Sequence, residues 1–93
     1  MNVTIDYVAQ IKSAAGTDHE TVVVPAGMTL KALLAERAGH FGEAFSTLVF
    51  GAGGANRPSL IVALNDEQVD TETTPILLKE GDCLTLLTPM AGG

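Results

Sequence analysis

Residues 3–8, Val3-Thr4-Ile5-Asp6-Tyr7-Val8, alternate apolar with polar positions and are rich in β-branched side chains. That period of two predicts a strand with Val3, Ile5 and Tyr7 on one face. A second strand is predicted over 19–24, ended by Pro25, and pairs with the first as an antiparallel hairpin across a turn-rich link at 13–18. The period then changes. Leu30, Leu33, Leu34 and Ala38 recur at helical spacing, with Phe41 extending the same face and Lys31, Glu36 and Arg37 lying off it. Thr29 stands where an N-cap belongs, and Gly39 is the predicted stop. Residues 42–48 read as a second short helix or a turn, and 51–58 as a loop. Residues 59–64 form the most apolar strand, a candidate for burial on both faces. Asn65-Asp66 is a turn leading to a short strand over 67–70. Residues 73–78 are an irregular crossing or one helical turn, with Ile76 and Leu77 plugging the core. A tight turn at 79–82, with Gly81 available for positive φ, leads to the last strand over 83–87. There Leu84 and Leu86 face in, and Cys83 and Thr85 face out.

This order of strand, strand, helix, strand, short strand, strand predicts an α+β domain, one main helix laid across a small mixed sheet. Composition supports a single core: in 93 residues, 46% are hydrophobic and 17% charged. The net charge of −6, from 11 acids against 5 bases, leaves no basic patch to displace counterions from phosphate, so nucleic acid is not expected as a partner. No apolar run approaches bilayer length and no signal peptide is visible, so no membrane partner is expected. The one cysteine, Cys83, excludes an internal disulfide and suits a cytoplasmic setting.

Most chemistry-bearing side chains read as surface features. The glycine-rich stretch 51–58 lacks the Gly-Lys-Ser/Thr of a phosphate loop and is followed by a strand. His19 and His40 have no metal-ligand spacing to a cysteine or a third histidine, so no metal is expected. Cys83 has only Lys79 nearby in sequence and reads as an incidental thiol. Asp66 and Glu67 read as a charged turn, and Arg57 as a loop cation. The end of the chain is different. Pro89-Met90-Ala91-Gly92-Gly93 is a thread that narrows to two residues without Cβ atoms, with a carboxylate at its tip that ionises at about pH 3.3–3.7. Extended, these residues reach at most about 16–18 Å, and Pro89 limits slack at the root by fixing φ. A docking face is expected near the root, around Leu60, Val62, Leu87 and Met90, although core packing is an open alternative for Leu60 and Val62.

Short motifs along the chain then point to one family. Ala15-Gly16-Thr17-Asp18, Pro25-Ala26-Gly27-Met28-Thr29-Leu30, Val62-Ala63-Leu64-Asn65-Asp66, Gly81-Asp82 and the terminal Ala91-Gly92-Gly93 occur in this order. Together they resemble the MoaD/ThiS sulfur carriers, with Thr88 and Met90 replacing a proline and a valine of the usual ending. The resemblance covers nearly the whole chain. It implies a ubiquitin-like β-grasp domain over 1–88 and a flexible tail over 89–93. It also implies a cycle in which the Gly93 carboxylate is adenylated with ATP inside an E1-like adenylyltransferase. The adenylate becomes a thiocarboxylate, and a partner consumes the sulfur. Pro89, Met90, Ala91 and Gly92 would insert into the partner sites. The carrier itself binds no cofactor and is not an enzyme. The molybdopterin-synthase small-subunit type is favoured, its partner being the large subunit of that synthase. Thiamin, cysteine or siderophore pathways, a lysine-conjugated modifier, and an interaction domain with an inert tail are the alternatives.

Overall fold

The computed structural model describes residues 1–73 and 75–89; the tail positions Met90, Ala91, Gly92 and Gly93 lie outside the described residues. The strands are β1 Asn2–Ala9, β2 His19–Val23, β3 Ile61–Leu64, β4 Glu67–Gln68 and β5 Cys83–Thr88. The helices are α1 Gln10–Ala15, α2 Leu30–Phe41 and α3 Glu43–Val49. The strands form one mixed sheet in the order β2-β1-β5-β3-β4. β5 sits at its centre, parallel to β1 and antiparallel to β3. The hairpin of β1 and β2 is antiparallel, as the alternation predicts.

One face of the sheet is covered. Val3, Ile5 and Tyr7 of β1, Leu84 and Leu86 of β5 and Val62 of β3 join Leu30, Leu33, Leu34 and Ala38 of α2 in a single core. The alternation of β5 is as expected, with Leu84 and Leu86 at 0% exposure. β3, however, is not buried on both faces. Ile61 is 39% exposed, because helices pack on one side of the sheet only.

Local signals account for several boundaries. The Thr29 hydroxyl accepts the Ala32 N–H at 3.1 Å, an N-cap bond. α2 runs past Gly39 to Phe41, and Gly42 (φ 100°) ends it, donating its N–H to the Ala38 carbonyl. The physical reason is Phe41, whose ring packs edge-on against Tyr7 at 5.6 Å and lies 5.0 Å from Phe45. Aromatic contacts of this kind are worth about 0.5–1.5 kcal/mol beyond buried area, enough to offset the roughly 1 kcal/mol that an interior glycine costs a helix. Residues 42–48 resolve as α3, with Phe45 and Val49 fully buried.

Three further points differ from expectation. The link at 13–18 is in part helical: α1 is anchored by Ile11, fully buried, and closed by Gly16 (φ 76°), whose N–H bonds the Lys12 carbonyl. Residues 75–78 run extended beside the start of α2, with Leu30 N–H bonding Ile76 O and Leu78 N–H bonding Met28 O. Side chains there alternate, so Leu78 is buried while Leu77 is 61% exposed; Ile76 packs on the core as expected. Arg37 is buried rather than solvated. Its guanidinium bonds both carboxylate oxygens of Glu20 at 3.1 Å and both of Glu36 at 2.6 and 2.8 Å. The Tyr7 hydroxyl donates to Glu20 at 2.6 Å. This cluster ties α2 to β2 and β1. Burial and then the Glu20 carboxylate push the Tyr7 phenol well above its ordinary value, and the Arg37 guanidinium holds Glu36 below the usual carboxylate range. All four groups satisfy one another, so the cluster fastens the helix to the sheet and leaves no site for chemistry.

Candidate functional site: the root of the tail and the open sheet face

β5 delivers the chain to its end, and its start is pinned by two polar turn residues. The Asp82 carboxylate accepts the Lys79 N–H at 2.7 Å and the Asn65 side-chain amide at 3.0 Å. The Asn65 side-chain oxygen accepts the Cys83 N–H at 2.9 Å. Asn65 and Asp66 both have positive φ, 52° and 69°, the conformation of a two-residue hairpin turn. Gly81 takes φ 83° in the facing turn. The Asn-Asp and Gly-Asp motifs are thus one clamp: they lock the β3–β4 turn to the first residue of β5. The burial of Asp82, 4% exposed, was not anticipated. The signal available was two polar turn residues 17 positions apart flanking the strands that lead to the tail.

The exit from β5 is equally defined. The last rung of the β1–β5 ladder is Ala9 with Thr88. Thr88 is 2% exposed, and its hydroxyl has no partner among the described residues. Pro89 follows, exposed, and has no N–H with which to continue a ladder. The described chain therefore leaves the sheet at Pro89, directly after a buried anchor.

Around this root the uncovered sheet face is ordered into rows by register. Val8, Leu87 and Ile61 are successive partners across β1, β5 and β3. They form the apolar row nearest the tail, with Val8 38% and Ile61 39% exposed and Leu87 half-buried. The next row is His19, Asp6, Thr85, Ala63 and Gln68; the third is Thr21, Thr4 and Cys83.

This geometry separates the predicted docking residues. Leu87 lies in the open row. Leu60 and Val62 face the core, at 9% and 4% exposure, and emerge only as the floor of a cleft of about 360 Å³ beside Arg57 and Val69. The cause is the period of two: β3 begins at Ile61, so Ile61 and Ala63 take the open face. Val8 and Ile61 were the residues missed.

The remaining candidates stay apart. Cys83 is exposed and unpaired in a disulfide. Among the described residues no three His, Cys, Asp or Glu side chains are grouped to hold a metal. The His19 ring is paired with its neighbour Asp18 at 3.0 Å. The loop 51–58 is an ordered excursion closed by a Phe50–Asn56 bridge, and the Arg57 side chain donates to the Thr47 carbonyl. Glu72 ties this loop to α2, accepting the Asn56 N–H and the Lys31 ammonium, each at 2.9 Å. These bonds hold its carboxyl below the ordinary range. No helix among the described residues is long and apolar enough to cross a membrane.

Comparison with known proteins agrees with this architecture. The ThiS family model matches residues 5–93. A molybdopterin synthase sulfur carrier subunit of Drosophila melanogaster is 32% identical over 93 residues, covering 100% of this chain and 92% of that one. The crystal structure of SAMP1 from Haloferax volcanii, a small archaeal modifier protein, superimposes with a TM-score of 0.85 at 25% identity, all of both chains being covered. A complex of subunits 1 and 2 of molybdopterin-converting factor from Helicobacter pylori gives a TM-score of 0.58 at 27% identity, again over the full length of both chains. A five-stranded mixed sheet of this order, carrying the family's match through its final glycine, is the ubiquitin-like β-grasp, and the chain belongs to the ThiS family.

Proposed function

We propose that this protein is a sulfur carrier that works through the carboxylate of Gly93. An oxygen of that carboxylate attacks the α-phosphate of ATP in an E1-like adenylyltransferase, and pyrophosphate leaves. Hydrosulfide from a sulfur donor then attacks the acyl carbon, AMP leaves, and a thiocarboxylate remains for a sulfur-accepting enzyme. The observation that carries this reading is the family match running to residue 93, over a chain whose last strand ends in a buried anchor followed by an exposed proline. An ionised carboxylate is a sufficient nucleophile toward ATP but cannot accept sulfur until a leaving group is installed. Both steps need sites that orient the acyl group and exclude water from the adenylate. A thread of small residues enters such sites without steric cost.

Molybdopterin synthesis is the favoured destination, supported by the sulfur carrier subunit at 32% identity. The similarity to subunit 1 of a two-subunit converting factor supports a large-subunit partner. The second reading, conjugation to lysine, is favoured by the likeness to a modifier protein at a TM-score of 0.85. Intact-mass analysis after incubation with ATP, a sulfur donor and the adenylyltransferase of the same genome separates the two. A sulfur-for-oxygen gain supports carriage, and high-mass adducts support conjugation. Deleting Gly93, or adding a residue after it, abolishes either product while the fold persists. Charging that survives these changes overturns the terminal-carboxylate mechanism.

A further inference from the structure

The strands contain no lysine or arginine: their sequences are NVTIDYVA, HETVV, IVAL, EQ and CLTLLT. By the alternation of the strands Glu20 and Glu67 turn to the covered side, so Asp6 is the one carboxylate the strands place on the open face, and they set no lysine or arginine beside it. Asp6 stands at the centre of that face, in the row beside Val8, Leu87 and Ile61. It is half-buried by its neighbours. The ion pairs among the described residues use Asp18, Glu72, Glu20 and Glu36, and Asp6 is in none of them. On one side its cross-strand neighbour is His19, whose imidazole is turned to Asp18 at 3.0 Å. On the other are Thr85 and then Ala63, two of the shortest side chains on the face. A partner's long side chain can lie over Thr85 and Ala63 and reach the carboxylate without displacing anything.

We infer that Asp6 is the charge-reading residue of the tail-root docking face, and that the enzyme seated there sets an arginine or lysine against Asp6 next to an apolar strip on Val8, Leu87 and Ile61. The inference rests on the proposed carrier function for the identity of that enzyme. Charge complementarity selects this occupant over the others. A second copy of the chain, packed face to face about a two-fold axis, would set two Asp6 carboxylates toward each other, and an anionic bilayer would be repelled by a chain of net charge −6. A half-desolvated carboxylate left against an apolar partner would cost affinity, so a cation opposite it raises both affinity and discrimination against partners without one.

The test measures binding and charging separately, on the full-length chain with the recombinant adenylyltransferase. Equilibrium binding is measured without ATP. Asp6→Asn raises Kd about five- to tenfold and Asp6→Lys more, while the single-turnover charging rate at saturating enzyme stays at the wild-type value. The salt dependence of Kd becomes shallower in Asp6→Asn. Glu43→Gln, which removes one charge from α3 away from the face, leaves Kd unchanged. Asp6→Lys binding at wild-type Kd overturns the inference, as does Glu43→Gln weakening binding as much as Asp6→Asn. Sedimentation showing a homodimer that Asp6→Lys dissociates overturns the choice of occupant. Wild-type chain that binds but is never charged overturns the carrier reading while the Asp6 variants still decide the inference. Wild-type chain that neither binds nor is charged overturns both.

Discussion

Ala9 has φ 64° and ψ −132°, the backbone of the first central residue of a type II′ turn, where glycine is the usual occupant. The reason for this kink is visible in its neighbours. β1 ends at Ala9 and α1 begins at Gln10, so one residue must redirect the chain sharply enough to bury Ile11, which is fully inaccessible. An L side chain held in such a region costs about 1–3 kcal/mol. Ala9→Gly removes that cost and adds about 0.4–1 kcal/mol of freedom to the unfolded chain. The difference predicts a net stabilisation of about 0.5–2 kcal/mol. For a domain of this size each kcal/mol raises Tm by about 4–8 °C. Urea and thermal unfolding check it, with an unchanged m-value showing that stability has changed and not the compactness of either state. Ala9→Val moves Tm the other way, since a β-branched side chain tolerates positive φ least. An Ala9→Gly protein with the same or a lower midpoint refutes the strain assignment.

Gly39 lies in the exposed interior of α2, with nothing within 4 Å of an added Cβ. Gly39→Ala therefore stabilises the domain by about 0.5–1 kcal/mol, read as a higher urea midpoint. Acid unfolding engages Glu36, whose folded-state pKa is lowered by Arg37. Its contribution is present above its unfolded pKa and is lost as pH falls through the lower folded value. In Glu36→Gln the midpoint-versus-pH curve is flatter below about pH 4, near the ordinary glutamate value. The two sides of β3 predict opposite phenotypes. Ile61→Ser and Val8→Ser weaken adenylyltransferase binding with Tm nearly unchanged, whereas Leu60→Ala and Val62→Ala lower stability by about 1–4 kcal/mol. Equal Tm losses on both sides would refute the assignment of faces.

The parts of this fold that are legible in the sequence are those whose cause is local. The alternation of β1 and β5, the Thr29 cap and the Gly81 turn each depend on residues within a few positions of one another. α1 is only six residues long with one apolar anchor, Ile11, too short for a helical period to register. The burial of Arg37 depends on Glu20, 17 positions away, which no local pattern links to it. Leu77 and Leu78 are adjacent and alike, and which one turns inward is decided by the backbone bonds of Ile76 and Leu78 to the start of α2. The same ambiguity left Leu60 and Val62 between docking and core packing and hid Ile61. In a four-residue strand rich in apolar side chains, composition does not mark the open face, and only pairing with β5 does. The proposed working end at Gly92-Gly93 depends on no such pairing, and its reading rests on the ordered motifs along the chain together with the two glycines.

The register of β5 also bears on how far the carboxylate can act from the docking face. Leu87 contacts the face, Thr88 is sealed beneath it, and Pro89 is the first exposed residue beyond. Four residues remain after Pro89, and covalent geometry allows them at most about 13–14 Å. Under the proposed function, any enzyme that acts on Gly93 must place its reacting centre within that distance of the point where it covers Pro89. The clamp of Asn65 and Asp82 and the buried Thr88 keep that origin from drifting. Docking energy is then spent on orienting the carboxylate rather than on ordering the domain that carries it. A further consequence follows from there being one root and one apolar row. Under the proposed function, the enzyme that charges the tail and the enzyme that discharges it compete for this surface, and a binding assay in which one partner fails to displace the other refutes that expectation.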